Sequence, residues 1–265
     1  MSSKPTAVRH DWIRSSHFHD LQETDVLNEI GRRIKKTQET AHPLVLLDLD
    51  STLYEVEPRT HQILLEWIDS PQSTSFPIAR DKVAKITRDH LGYSLKDTFS
   101  RLGLDLSFQE FSAAWENAKA FWQERFFNSD YLKHDIAYEG AAEFVNDIYK
   151  LGCEIVYLTG RDEPGMGRGT RQNLLRDGFP WEKPKTHLLL KPTFEMDDLL
   201  HKKSAENYIR KHGTLVASFE NEPLNLVSLS EIFPEAMHIF VDTICSDRPA
   251  PVAQGLYRIK GYIRP

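Results

Sequence analysis

Asp48 and Asp50 stand two residues apart at the end of the apolar run 44–47, and four later apolar runs end in residues of the same chemical kind. Thr159-Gly160-Arg161 closes one, Lys191-Pro192 the next, Glu220-Asn221 a third and Asp242-Thr243 a fourth. Acids, a hydroxyl and bases would converge if these runs were strands of one parallel sheet. A two-residue spacing puts Asp48 and Asp50 on one face of a strand, and at its frayed end both reach a single ion. Two close carboxylates repel, so a cation or a proton must compensate them. Mg2+ suits such a pair, because it takes a few carboxylate oxygens and fills its other positions with water and phosphate oxygens. The competing reading is a solvated acidic turn with Ser51 and Thr52.

The elements that must position these residues follow from the apolar pattern. Leu21, Val26, Leu27, Ile30 and Ile34 predict a helix over 20–38. Pro43 breaks the chain, and the short continuous run that follows suits a strand buried on both faces. Residues 55–135 are rich in aromatics at helical spacing (Phe108, Phe111, Trp115, Phe121, Trp122, Phe126) and show no good strand, which predicts an all-helical insert with the aromatic stripe as its core. Beyond it the pattern alternates: helix 139–151, strand 153–159, a glycine-rich loop with a short helix near 170–177, strand 187–190, helix 197–211, strand 214–219, helix near 223–232 and strand 237–241. Alternating strands and helices predict an α/β fold, a Rossmann-like parallel sheet with helices on both faces. Ligands in such folds sit at the carboxyl ends of the strands. The expected division is an N-terminal extension with a helix over 1–40, an α/β core over 41–54 and 136–265, and a helical cap over 55–135. The His-rich start (His10, His17, His19) matches no firm metal template and is expected to be mobile or loosely packed, and the tail 246–265 to form a lid or an extra strand.

DLDSTL (48–53) after an apolar strand resembles the first motif of the haloacid dehalogenase-like (HAD) superfamily, DxDx[TV], and VYLTGR (156–161) resembles its second, a strand ending in Ser or Thr. The resemblance spans roughly residues 42–245, with the insert at the place of a C1-type cap. It implies a phosphatase-branch hydrolase in which Asp48 is the nucleophile that accepts the phosphoryl group and Asp50 the general acid/base. Thr159 would hydrogen-bond the transferring phosphate, with backbone donors near Leu49, Asp50 and Gly160. Positioning and charge neutralisation supply most of phosphoryl-transfer catalysis. For the third-motif lysine three candidates stand. Lys202 has Ala205 and Ile209 on its side and faces inward, Lys203 has Glu206 and Arg210 and looks solvated, and Lys191 directly follows a strand. The fourth motif departs from the family pattern: Glu220 takes the place of the metal-binding Asp, one methylene longer, with Asn221 beside it and Glu222 and Asn225 as supporting partners. The implied Mg2+ ligands are Asp48, Asp50 and Glu220, and Arg161 with Gly160 would bind substrate; a solvated loop around Arg161, Arg168 and Arg171 is the competing reading.

The balance of 33 basic against 39 acidic residues argues against nucleic acid or an anionic membrane as main partner. Two cysteines, Cys153 and Cys245, form no disulfide framework and read as reduced thiols. With no apolar leader visible and no long apolar run, a cytoplasmic location is expected. There is no Walker A loop, HExxH, GxSxG or GxGxxG. The expected function is a Mg2+-dependent phosphatase acting on a small phosphorylated metabolite. Phosphotransferase or mutase chemistry on the same nucleophile, and a catalytically reduced phosphate-binding regulator, are the alternatives.

Overall fold

The computed structural model describes residues 5–263; the first four residues of the expected extension and the last two of the tail lie outside the described residues. The chain forms two compact units, one of residues through Tyr54 with Ala137–Pro164 and those from Leu174 onward, the other of Glu55–Ile136 with Gly165–Asn173.

The first unit runs β1 (Thr6–Ala7), α1 (Arg9–Ser15), α2 (Glu23–Thr37) and β2 (Pro43–Leu47), and continues after the second unit with α3 (Ala141–Lys150) and β3 (Glu154–Asp162). Next comes α4 (Glu163–Arg176), whose residues Gly165–Asn173 belong to the second unit, and the first unit goes on through β4 (Thr186–Lys191), α5 (Asp198–Ser204), α6 (Glu206–His212), β5 (Thr214–Glu220), α7 (Pro223–Ile232), β6 (Met237–Val241), β7 (Ala250–Pro251) and β8 (Tyr257–Ile259). Among the described residues six strands form a parallel sheet in the order β8-β6-β5-β2-β3-β4. Counted from β2, this is the doubly wound order whose direction reverses between β2 and β5, the place where such sheets open a crevice at their carboxyl edge. The β2 residues are buried throughout. Val45 and Leu47 pack with Val26, Leu27, Ile30 and Ile34 of α2 and with Phe144, Val145 and Ile148 of α3. Leu44 and Leu46 face the other side, with Ile209 of α6 and Leu229 of α7. Burial on both faces explains the unbroken apolar run.

The N-terminal segment is packed, contrary to expectation. Trp12 is fully buried, its ring centroid lies 5.2 Å from that of Phe240, and its indole N–H donates to the Pro251 carbonyl at 2.8 Å. Its strand β1 pairs with β7 of the tail. One large aromatic anchors a stretch whose average composition is polar. Among the described residues no three of His, Cys, Asp and Glu form a metal-holding group, and His19 stacks on Tyr257 instead. The tail adds β8 to the sheet edge beside β6. No helix among the described residues is long and apolar enough to cross a membrane.

In the second unit the α-helices are Glu57–Asp69, Pro77–Val83, Leu95–Arg101 and Gln109–Phe126. Its core holds Ile63, Leu64, Trp67, Val83, Phe99, Ala114, Ala118 and Phe121. The aromatic stripe is only partly core: Phe121 is buried, Trp122 stacks half-buried on Phe126, and Phe108 is 60% exposed. Arg59 makes a buried two-point ion pair with Asp135, at 2.8 and 2.7 Å. Helix α4 begins well before residue 170, through Gly165, Gly167 and Gly169. Glycine weakens a helix intrinsically, but a Cβ at Gly169 would stand 2.4 Å from the Ser129 carbonyl oxygen, so close backbone approach requires it. The segment expected as one helix over 197–211 is divided at Ala205 into α5 and α6.

Candidate active site

The site forms where β2 and β5 end. The Asp48 amide donates to the Phe219 carbonyl at 3.1 Å, which fixes Asp48 against β5. The chain then turns sharply: the Leu49 carbonyl accepts from the amides of Thr52, Leu53 and Tyr54 at 3.1, 2.8 and 2.9 Å. Ser51 takes the left-handed conformation (φ 57°), which is costly for a residue with a Cβ and persists only where its surroundings impose it. Those surroundings lie far along the chain. The Thr243 hydroxyl donates to the Ser51 carbonyl, and the Tyr262 hydroxyl donates to the Thr52 carbonyl at 3.0 Å. The turn brings the Thr52 hydroxyl 3.0 Å from Asp48 Oδ2 and 3.1 Å from Asn221 Oδ1, so its single hydrogen serves one of them at a time.

Helix α5 delivers the lysine. Asp197 caps it by accepting from the Leu200 amide at 3.0 Å, and Lys202, 3% exposed, donates to Asp48 Oδ1 at 2.7 Å and to Glu220 Oε2. Lys203 is exposed, and Lys191 pairs elsewhere. The extra methylene of Glu220 does not keep its carboxylate from Lys202, and its other oxygen accepts from the Glu222 amide at 3.1 Å.

Two carboxylates and one ammonium leave this buried group one negative charge in excess. Burial raises Asp48 above the ordinary carboxylate range, with Lys202 partly countering it. Burial, with the neighbouring charge of Asp48, pushes Glu220 up to about 8. Burial works against the charge of Lys202, but the two carboxylates outweigh it and hold the ammonium above its ordinary value. Two buried carboxylates that share one ammonium are hard oxygen donors of the kind that fits Mg2+, which takes one or two carboxylates, displacing the shared proton, and completes its shell with water and phosphate oxygens. A consequence for stability follows. The folded chain keeps a proton on Glu220 that the unfolded chain has lost between its ordinary value of 4.5 and about 8, so stability falls as pH rises through that interval. Below about 6.5, His134, His201 and His238, each lowered chiefly by burial, act in the opposite direction. With a chelator present, urea titrations should therefore show a gain on the order of 1 kcal/mol on going from pH 8 to 6.5. Stability that falls over that step would contradict the charge excess.

The second cluster lies at the end of β3. Arg161, 1% exposed, donates from Nε to Asp50 Oδ1 at 2.8 Å and again from Nη2. Its amide donates to Thr159 Oγ1 at 3.3 Å. Arg161 is therefore a buried partner of Asp50 rather than part of a solvated loop, while Arg168 is exposed beside Asp130. The structure brings Asp48, Lys202 and Glu220 together, and Asp50 with Arg161 and Thr159. The Asp50 carboxylate, expected among the Mg2+ ligands, faces the guanidinium. The Asp198 carboxylate covers Gly160: a Cβ there would lie 2.8 Å from Asp198 Oδ2. Thr243 was legible in the sequence only as a strand-end residue, and Asp198 only through its acid-x-x-x-Lys spacing to Lys202 in DLLHKK (198–203). Tyr262 escaped sequence reasoning and carried no signal.

No family model and no curated protein sequence matches the chain. Solved structures do. A candidate phosphatase from Clostridium difficile is similar at 15% identity, with 76% of this chain and 85% of that one covered and a TM-score of 0.50. A HAD-superfamily hydrolase of subfamily IA from Geobacter sulfurreducens is similar at 14% identity over 83% of this chain and 92% of that one, with a TM-score of 0.43. The likeness to the Clostridium difficile structure is one of fold, an α/β architecture built on a parallel sheet with helices on both faces.

Proposed function

We propose that the chain is a Mg2+-dependent phosphatase that cleaves a small phosphate monoester through an aspartyl-phosphate on Asp48. The observation that carries this reading is the Lys202 ammonium held between Asp48 and Glu220 at the sheet's reversal point. A buried, charge-compensated carboxylate at that crevice is placed to take up a phosphoryl group. The Asp48 carboxylate attacks phosphorus, the bond to the leaving oxygen breaks, and that oxygen takes a proton from Asp50. Asp50, now a carboxylate, takes a proton from water. The resulting hydroxide attacks the phosphorus of the aspartyl-phosphate, its bond to Asp48 breaks, and inorganic phosphate leaves. Arg161 fixes the direction of the Asp50 carboxylate. Lys202 neutralises charge on Asp48 and the transferring group, and Thr159 with backbone amides of the turn holds the phosphoryl oxygens. Asp48 and Glu220 would hold Mg2+, which supplies charge neutralisation on the phosphoryl group when bound.

Phosphate release from p-nitrophenyl phosphate tests this. The expected result is turnover with Mg2+ that stops on chelation and returns when the ion is restored. Turnover indifferent to chelation, or none with any divalent ion tried on folded protein, would contradict the reading.

A further inference from the structure

Lys191 ends the edge strand β4, in register with Asp162 of β3, at the sheet's carboxyl edge. It is only 7% exposed, which is rare for a lysine unless it is paired. Its ammonium lies 2.9 Å from Asp198 Oδ1 and donates to the Phe194 carbonyl at 3.1 Å. The partners differ in freedom: the Asp198 side chain is 47% exposed and that of Lys191 only 9%. The cation is buried, and the anion paired with it reaches solvent.

The position of that anion matters. The Asp198 carboxylate lies against Gly160, where a Cβ would come within 2.8 Å of Oδ2. Gly160 follows Thr159 directly in the strand end proposed to hold the phosphoryl group. Asp198 is also four residues before Lys202 on α5, so the two side chains share a helix face. One carboxylate thus touches the phosphate-holding strand end on one side and a buried ammonium on the other. Because Asp198 is half in solvent, a second carboxylate or phosphate from solution can meet the Lys191 ammonium in its place without leaving that buried charge unpaired.

We propose that Lys191 binds a second anionic group of the substrate, displacing Asp198, and that the substrate is accordingly an organic phosphate with a carboxylate or second phosphate a few bonds from phosphorus. The placement rests on the phosphatase reading, which locates the phosphoryl group at Asp48. The half-exposed Phe194 ring, its centroid 5.7 Å from the Lys191 ammonium, forms an apolar wall beside the subsite.

Calorimetric binding to the full chain with Mg2+ tests the proposal without needing turnover. The probes are phosphonoacetate, which carries a second anion, and ethylphosphonate, which does not. The unaltered chain should bind phosphonoacetate at least about tenfold more tightly, the scale of one charge-assisted hydrogen bond. Lys191→Met should bring the ratio close to one, and Lys191→Arg should keep the ratio. A ratio near one in the unaltered chain, a ratio that survives Lys191→Met, or an equal loss for both probes would overturn the proposal. Should Lys191→Met not fold, Asp198→Asn answers in its place: it removes the internal competitor and should raise the ratio, and an unchanged or lower ratio would overturn the proposal. Phosphate release from p-nitrophenyl phosphate, which has no second anion, reports on the phosphatase reading alone.

Discussion

Asp48→Asn is expected to lower phosphate release by roughly ten-thousand-fold or more, the scale seen when a nucleophile is removed, while the chain stays folded. The substitution keeps the shape of the side chain and removes its nucleophilic oxygen. It also leaves Lys202 with Glu220 as a neutral pair, so no uncompensated buried charge remains. Urea midpoints should accordingly match or exceed those of the parent. A loss of activity smaller than tenfold would mean that another group attacks phosphorus. A large loss of stability would mean that the charge balance drawn from the Lys202 contacts is wrong.

Lys202→Met should have the largest effect on stability. It leaves the Asp48 and Glu220 carboxylates buried together with no cation between them. Breaking a buried pair in this way costs about 3–5 kcal/mol, and here one ammonium serves two acids. The cost should be greatest at pH 8 and shrink on acidification, because a shared proton then replaces the ammonium. Urea unfolding at pH 8 and pH 6.5 measures both effects, and adding Glu220→Gln should restore much of the loss. An unchanged midpoint at pH 8 would show that Lys202 does not compensate these acids. Activity should fall with stability, since the same ammonium faces the attacking carboxylate.

The parts legible in the sequence were those governed by short-range pattern. The run at 44–47 reads as a strand buried on both faces because its residues fill both sides of β2. Lys202 stands out from Lys203 because Ala205 and Ile209 continue its inward face, and the break between α5 and α6 leaves that stripe intact. The strand ends bearing Asp48, Thr159 and Glu220 follow from the alternation of strands and helices. Long-range pairing was not legible. Nothing near Arg161 indicates that it is buried against Asp50, 111 residues away. Nothing near Ser51 indicates that Thr243 and Tyr262 brace its turn from 192 and 210 residues away. Trp12 is one anchor in a polar stretch, and averaging over a window hides it. The glycines of α4 read as a loop because glycine disfavours helix intrinsically, whereas here the close approach of Ser129 decides.

The most direct test of the central claim is to trap the phosphoryl group. Turnover with p-nitrophenyl phosphate and Mg2+ is quenched in acid, which preserves an acyl phosphate, and the peptides are mapped by mass spectrometry. The account predicts one phosphoryl group on the peptide containing DLDSTL, located to Asp48 and missing from Asp48→Asn. A phosphoryl group on another residue would contradict it. So would steady turnover with no protein-bound phosphoryl group when single-turnover samples are quenched across the reaction's time course.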